Sequence, residues 1–194
     1  LKKKLWKQTI EAKIKNQSKL LTKLGKDGDV LKLYYCNVKS GDSDNREGLA
    51  ARIYWNSLFG DDFVRDRSLP GINALLNYGY TILRSATARA LMGSGLLPSL
   101  GIFHHNRSNA FPLADDIMEP YRPYVDEIVY GMLQEGMMDL NLKSKSCLLR
   151  ILTCDTHFSK VTRPLSIALT MSAASLAKCY VKELDKINYP MMKI

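Results

Sequence analysis

The sequence predicts an all-α fold, and three observations carry the prediction. Apolar residues recur at spacings of three and four over several long runs, the period of a helix with one buried face. Glycine, proline and Asp/Asn/Ser clusters fall between those runs, where helices start and stop. No stretch reads as a convincing β-hairpin, and there is neither an internal repeat nor a low-complexity tract.

The first helix spans residues 2–24. Leu5, Trp6, Ile10, Ile14, Gln17, Leu20, Leu21 and Leu24 mark its inner face, with lysines between them. Gly25 and the turn residues Lys26-Asp27-Gly28-Asp29 end it. Residues 30–38 (VLKLYYCNV) alternate poorly; a short strand or a helix fits, and the helical surroundings favour a helix. Residues 39–43 form a loop. Asp44-Asn45-Arg46-Glu47 has the D-x-x-E form of a capping box, which predicts a helix opening at Asp44 with its apolar run over 49–59. A charged loop covers 61–68, and Pro70 stands where helices begin. Residues 71–93 then read as helix up to Gly93 and Gly95. A Gly-, Asn- and Ser-rich loop carries His104 and His105, and a helix follows over 115–135. Shorter helices over about 144–153 and a long one over about 162–186 complete the chain.

With 194 residues, 46% of them hydrophobic and 24% charged, the chain suits one domain with a buried core and is too apolar to be disordered. No apolar run reaches the roughly 18 residues that a membrane-crossing helix needs. The stretch 164–177 comes nearest, and Ser and Thr break it. Lys2, Lys3 and Lys4 lead into no apolar segment, unlike a signal peptide, and a first residue of Leu rather than Met leads us to expect a natural N-terminus further upstream. Cys36, Cys147, Cys154 and Cys179 form no C-x-x-C pair. That argues against a zinc finger and for reduced thiols in a cytoplasm, packed as small core hydrophobes. The net charge of +9 is an excess that a polyanion such as nucleic acid rewards through counterion release, although a basic soluble protein without such a partner has the same balance.

Residues 101–123, GIFHHNRSNAFPLADDIMEPYRP, concentrate the side chains capable of chemistry. Asp116 and Glu119 are three apart at a helix start, so both can face one side, and His104 lies on the loop leading into that helix. Imidazole with carboxylate oxygens suits Mn²⁺ or Mg²⁺ better than a structural zinc. Acids in a first helical turn also stabilise the helix dipole without any metal, and Glu47 fits the third position of its capping box, a purely structural duty. Tyr54, Trp55, Asn73, Tyr78 and Tyr80 pack well at helix interfaces, each with an apolar body and a polar tip. Arg46, Arg52, Arg84, Arg89, Arg107 and Arg122 lie around the acids in sequence. A site acting on phosphodiesters needs both signs, acids for a cation and bases for the backbone. A solvated, salt-bridged helix face has the same composition.

Four stretches taken together, REGLAARIYW at 46–55, GINALLNYGYTIL at 71–83, GLLPSLGIFHHNRSNAFPLADDIMEPYRP at 95–123 and RPLSIALTMSAASLAKCY at 163–180, resemble the CRISPR adaptation integrase family Cas1, nearest to its type II branch. The resemblance runs over essentially the whole chain. It implies an all-helical catalytic domain over 1–194, with the family's N-terminal β-domain not part of this sequence. It implies a metal-binding trio: Glu47 in E-G-x-A-A, His104 three residues after Gly101, and Glu119 in D-x-M-E-P-x-R, a position that is Asp in some branches. Asp116, His105 and Tyr78 then become residues beside the ligands or the substrate, and Arg52, Arg107 and Arg122 candidate phosphate clamps. The implied chemistry is Mg²⁺- or Mn²⁺-dependent transesterification, joining the 3′-hydroxyls of captured DNA to the CRISPR repeat during spacer acquisition in prokaryotic antiviral defence. The implied partners are DNA, a second copy of the chain in a homodimer, the small protein Cas2 and other type II adaptation proteins, with no membrane. The alternative is a non-catalytic DNA-binding or scaffolding subunit of the same assembly.

Overall fold

Among the described residues, 1–106 and 108–194 of a computed structural model, helices predominate and a single short hairpin interrupts them. The first helix, α1 (Lys2–Lys23), is the platform beneath the site. One stripe of it, with Leu5, Ile10, Ile14 and Leu21, is buried as the spacing predicts. A second buried stripe is polar: Thr9, Lys13 and Asn16. Burying polar groups costs free energy unless they are paired. The Thr9 hydroxyl donates to Leu5 O at 3.0 Å. Asn16 Nδ2 donates to Pro120 O at 2.8 Å and Pro190 O at 3.2 Å, while Asn16 Oδ1 accepts from the Met192 amide at 2.9 Å.

A 3-10 turn and α2 (Lys32–Cys36) occupy the stretch read as helix rather than strand. Helix α3 (Arg46–Phe59) does not open at Asp44 as expected. Asp44 instead pairs with Lys39 at 2.8 Å. Asn45, in the left-handed region at φ 52°, caps the Gly48 amide at 3.2 Å, and the Asp42 carboxylate takes the Arg46 and Glu47 amides at 2.8 and 3.1 Å. With the first-turn amides satisfied in this way, the Glu47 side chain has no capping duty.

Helix α4 (Ile72–Gly93) runs through the middle of the molecule, and Gly79 lets it close on its neighbour, since a Cβ there would come within 2.4 Å of Val125. The single helix expected over 115–135 is two: α5 (Pro112–Met118) and α6 (Arg122–Gln134), joined by a 3-10 turn over Glu119–Tyr121. Pro120 and Pro123 lack amide hydrogens, so the helical ladder cannot continue through them, and Pro112 at the first helical position sets the earlier start. Helix α7 (Leu142–Leu149) opens on a capping box between Asn141 and Ser144.

The expectation of no β-hairpin, with a helix from 162, is corrected. Strands β1 (Asp155–His157) and β2 (Thr162–Pro164) pair antiparallel, Thr156 opposite Arg163, and α8 (Leu165–Tyr180) begins only afterwards. The β-branched Thr156, Val161 and Thr162 favour extended backbone, and Pro164 biases the residue before it away from the helical region. The cysteines are free, but only Cys179 is buried; Cys36 is exposed and Cys147 and Cys154 are half-buried, so the core role expected of all four holds for one. Among the described residues no helix is long and apolar enough to cross a membrane.

Candidate functional site

Three distant parts of the chain meet at one ammonium group. Lys13 Nζ, from α1, lies 2.5 Å from Glu47 Oε1, in the first turn of α3, and 2.6 Å from Glu119 Oε2, on the 3-10 turn between α5 and α6. The first contact is a hydrogen bond. The second is a close ion pair to a buried oxygen, Glu119 Oε2. Arg122 Nε donates to the other oxygen, Glu119 Oε1, at 2.9 Å. Burial alone would push the Glu119 acid up, but Arg122 and Lys13 outweigh it and hold its pKa at about 2. Burial likewise opposes the charge on Lys13, and Glu119 and then Glu47 outweigh it, placing the amine above the usual lysine value.

His104 is held from behind. The buried Asp116 carboxylate turns back from α5 and accepts the amides of Ile102, Phe103 and His104 at 2.6, 2.9 and 3.2 Å. It also accepts His104 Nδ1 at 2.6 Å, a hydrogen bond that raises the imidazole pKa against the effect of burial. With Nδ1 as donor, Nε2 is the atom left for a ligand. A Cβ on Gly101 would lie 2.2 Å from His104 O and 3.1 Å from Asp116 Oδ2, so only glycine lets the loop wind over the carboxylate. Trp6 stacks on Phe103 at 4.3 Å, and His104 meets both rings edge-on at 5.7 and 5.4 Å.

Glu47, His104 and Glu119 line one open groove of about 830 Å³. Arg65 and Arg84 join Arg122 on its wall. Arg65 is aimed by Asn73 and Asn77, one helical turn apart on α4, whose side-chain oxygens accept its guanidinium at 2.8 and 2.7 Å. Arg84 Nε lies 3.0 Å from Asp115 Oδ1. A second buried acid lines the groove as well: Asp126 accepts the Tyr54 hydroxyl at 2.7 Å and the Tyr80 hydroxyl, and burial raises its pKa to about 6. The Arg122 guanidinium sits over the Tyr80 ring at 4.5 Å, between the two acids.

Other expected site residues stand elsewhere. His105 and Arg52 are exposed and do not line the groove. Tyr78 faces away, with Lys145 over its ring at 5.7 Å; Tyr80, about 200° around the helix, is the tyrosine that lines the groove. Arg122 is in place, but as the partner of Glu119 rather than an open phosphate clamp. Arg107 lies outside the described residues. Lys13 and Arg65 escaped the sequence reading. The signal for Lys13 was present, because Thr9, Lys13 and Asn16 share helical spacing with the buried stripe beside them. Among the described residues no three His, Cys, Asp or Glu side chains converge as ligands on one point, and Lys13 lies between the two glutamates.

Fold and site together define a helical domain that presents buried carboxylates and an imidazole to an arginine-walled groove. The chain matches the family described as CRISPR associated protein Cas1 over residues 2–158, and it belongs to that family. It is 42% identical to the CRISPR-associated endonuclease Cas1 of Neisseria meningitidis over 144 residues, which is 73% of this chain and 47% of the relative. The chain spans about half the length of the curated relatives it matches. Its fold is similar to a casposase bound to integration product, with a TM-score of 0.81 at 20% identity, covering 100% of this chain and 68% of that one. It is also similar to a chain of a partial Cas6-RT-Cas1–Cas2 complex, with a TM-score of 0.76 at 23% identity, covering 94% and 66%.

Proposed function

We propose that this chain carries the catalytic centre of a metal-dependent DNA endonuclease and integrase of CRISPR adaptation, of the type II branch. The observation that carries this reading is the convergence of Glu47 and Glu119 on a single cation, the Lys13 ammonium, at 2.5 and 2.6 Å, in the groove that His104 also lines. The donor set fits Mg²⁺ or Mn²⁺: two hard carboxylates already drawn to one cation, and an imidazole with its second nitrogen tethered. Glu47, His104 and Glu119 would hold the ion, whose charge would polarise the scissile phosphate and steady the oxygens that gain charge. In the reaction a DNA 3′-hydroxyl loses its proton and bonds to phosphorus of the CRISPR repeat, and the displaced 3′-oxygen leaves and takes up a proton.

The protein's own residues divide the remaining work. Arg122 keeps Glu119 ionised, Asp116 fixes the histidine tautomer, and Arg65 and Arg84 meet backbone phosphates along the groove. DNA, a second copy of the chain and Cas2 are the partners of this reading. The test is cleavage of branched DNA with Mn²⁺ and with EDTA. Cleavage with Mn²⁺ that EDTA abolishes is expected, with DNA affinity falling steeply between about 50 and 200 mM salt. Cleavage insensitive to EDTA overturns the metal, and salt-dependent binding without any cleavage favours a scaffolding subunit.

A further inference from the structure

We infer that Lys13 is a built-in counter-ion of the metal-free site: its ammonium holds Glu47 and Glu119 together, and a divalent cation enters by displacing it. This inference rests on the reading that these two glutamates hold the cation. Glu47 and Glu119 come from elements far apart in the chain, yet both reach the same nitrogen, whose side chain is only 11% exposed. Without Lys13, two carboxylates would face each other with Arg122 alone to offset them, and Arg122 touches only Glu119. The charge count argues for displacement rather than sharing. Two carboxylates, Lys13 and Arg122 sum to zero, so a divalent cation added beside the ammonium would leave a half-buried cluster two charges in excess. Space argues the same way, because the ammonium stands 2.5 and 2.6 Å from the two carboxylate oxygens, in the space that an ion held by both would enter.

A lysine in this place makes the site stable without metal and weakens its grip on metal. The experiment measures Mn²⁺ affinity by the electron paramagnetic resonance signal of the free ion, together with thermal unfolding with and without Mn²⁺. It compares the wild-type chain with Lys13→Met, Lys13→Gln and Glu119→Gln. The Met variant removes the charge at similar length, and the Gln variant keeps a hydrogen-bond donor should the Met variant fold poorly. Both Lys13 variants are expected to unfold at a lower temperature than wild type without metal, to gain more from Mn²⁺, and to bind it about tenfold more tightly or better. Mn²⁺ affinity equal to or weaker than wild type in both Lys13 variants overturns the inference. If Glu119→Gln at the same time loses Mn²⁺ affinity, the ligand assignment stands and only the role of Lys13 falls. If Glu119→Gln binds Mn²⁺ as wild type does, the ligand assignment itself is wrong, and the displacement of Lys13 falls with it.

Discussion

Glu119 and Asp126 are both buried, at 4% and 1% exposure, lie seven residues apart and line the same groove. Their chemistry is opposite. Glu119 faces two cations, Lys13 and Arg122, and stays ionised with a pKa of about 2. Asp126 faces two neutral donors, the hydroxyls of Tyr54 and Tyr80, and its pKa rises to about 6. Burial penalises both carboxylates; what separates them is that Lys13 and Arg122 touch Glu119 directly, whereas they act on Asp126 only from a distance, behind its two tyrosine hydroxyls. One of these acids is kept charged, and the other works as a structural pin between α3, α4 and α6.

The sharpest break between them is catalytic. Glu119→Gln is expected to lower branched-DNA cleavage by more than about a hundredfold, beyond the usual effect of residues one step away from a metal, while Asp126→Asn costs less than about tenfold. Equal losses would erase the distinction. The next difference is a pH slope. Below about pH 4 the folded and unfolded chains both carry the Asp126 proton. As pH rises from about 4 to 6 the unfolded chain gives it up while the folded chain keeps it, so this residue's contribution to stability is lost over that window, by about 2–3 kcal/mol. Denaturant midpoints across that range should show the fall in wild type and not in Asp126→Asn. Tyr80→Phe removes one donor from the buried acid and should cost about 1–3 kcal/mol in urea unfolding, and a loss near zero would mean the pin is not Tyr80. The smallest effects belong to Tyr78→Phe and Arg52→Ala, which stand off the groove and should leave stability within about 0.5 kcal/mol and cleavage within twofold.

The helical character and most helix spans were legible because apolar periodicity reports burial directly, as in α1 and α4. The hairpin was not, since strands of three residues give too few positions for alternation to register. Capping at α3 was misjudged because sequence spacing cannot tell which of two nearby acids reaches the free amides, and Asp42 does so where Asp44 was expected. At the site, the short stretch 101–123 was readable as a concentration of side chains capable of chemistry, and the structure places His104 and Glu119 on the same groove as Glu47. Tyr78 and Tyr80 were equal in composition, and only the helix phase assigns them to opposite faces. Lys13 was hidden because a lysine on a lysine-rich helix reads as solvated until the polar stripe around it is seen to be buried.

The grip of Asn16 on Pro120, Pro190 and Met192 has a consequence for the order of assembly. The turn that bears Glu119 is clasped from one side by α1 and, through the same asparagine, by a segment more than 170 positions later in the chain. On a ribosome, α1 and the turn emerge long before that segment, so the clasp closes only after residue 192 has left the exit tunnel. The emerging chain therefore exposes the Glu119 turn before its last fixings are in place, and the turn is held in full only once residues 190 and 192 can fold back onto it.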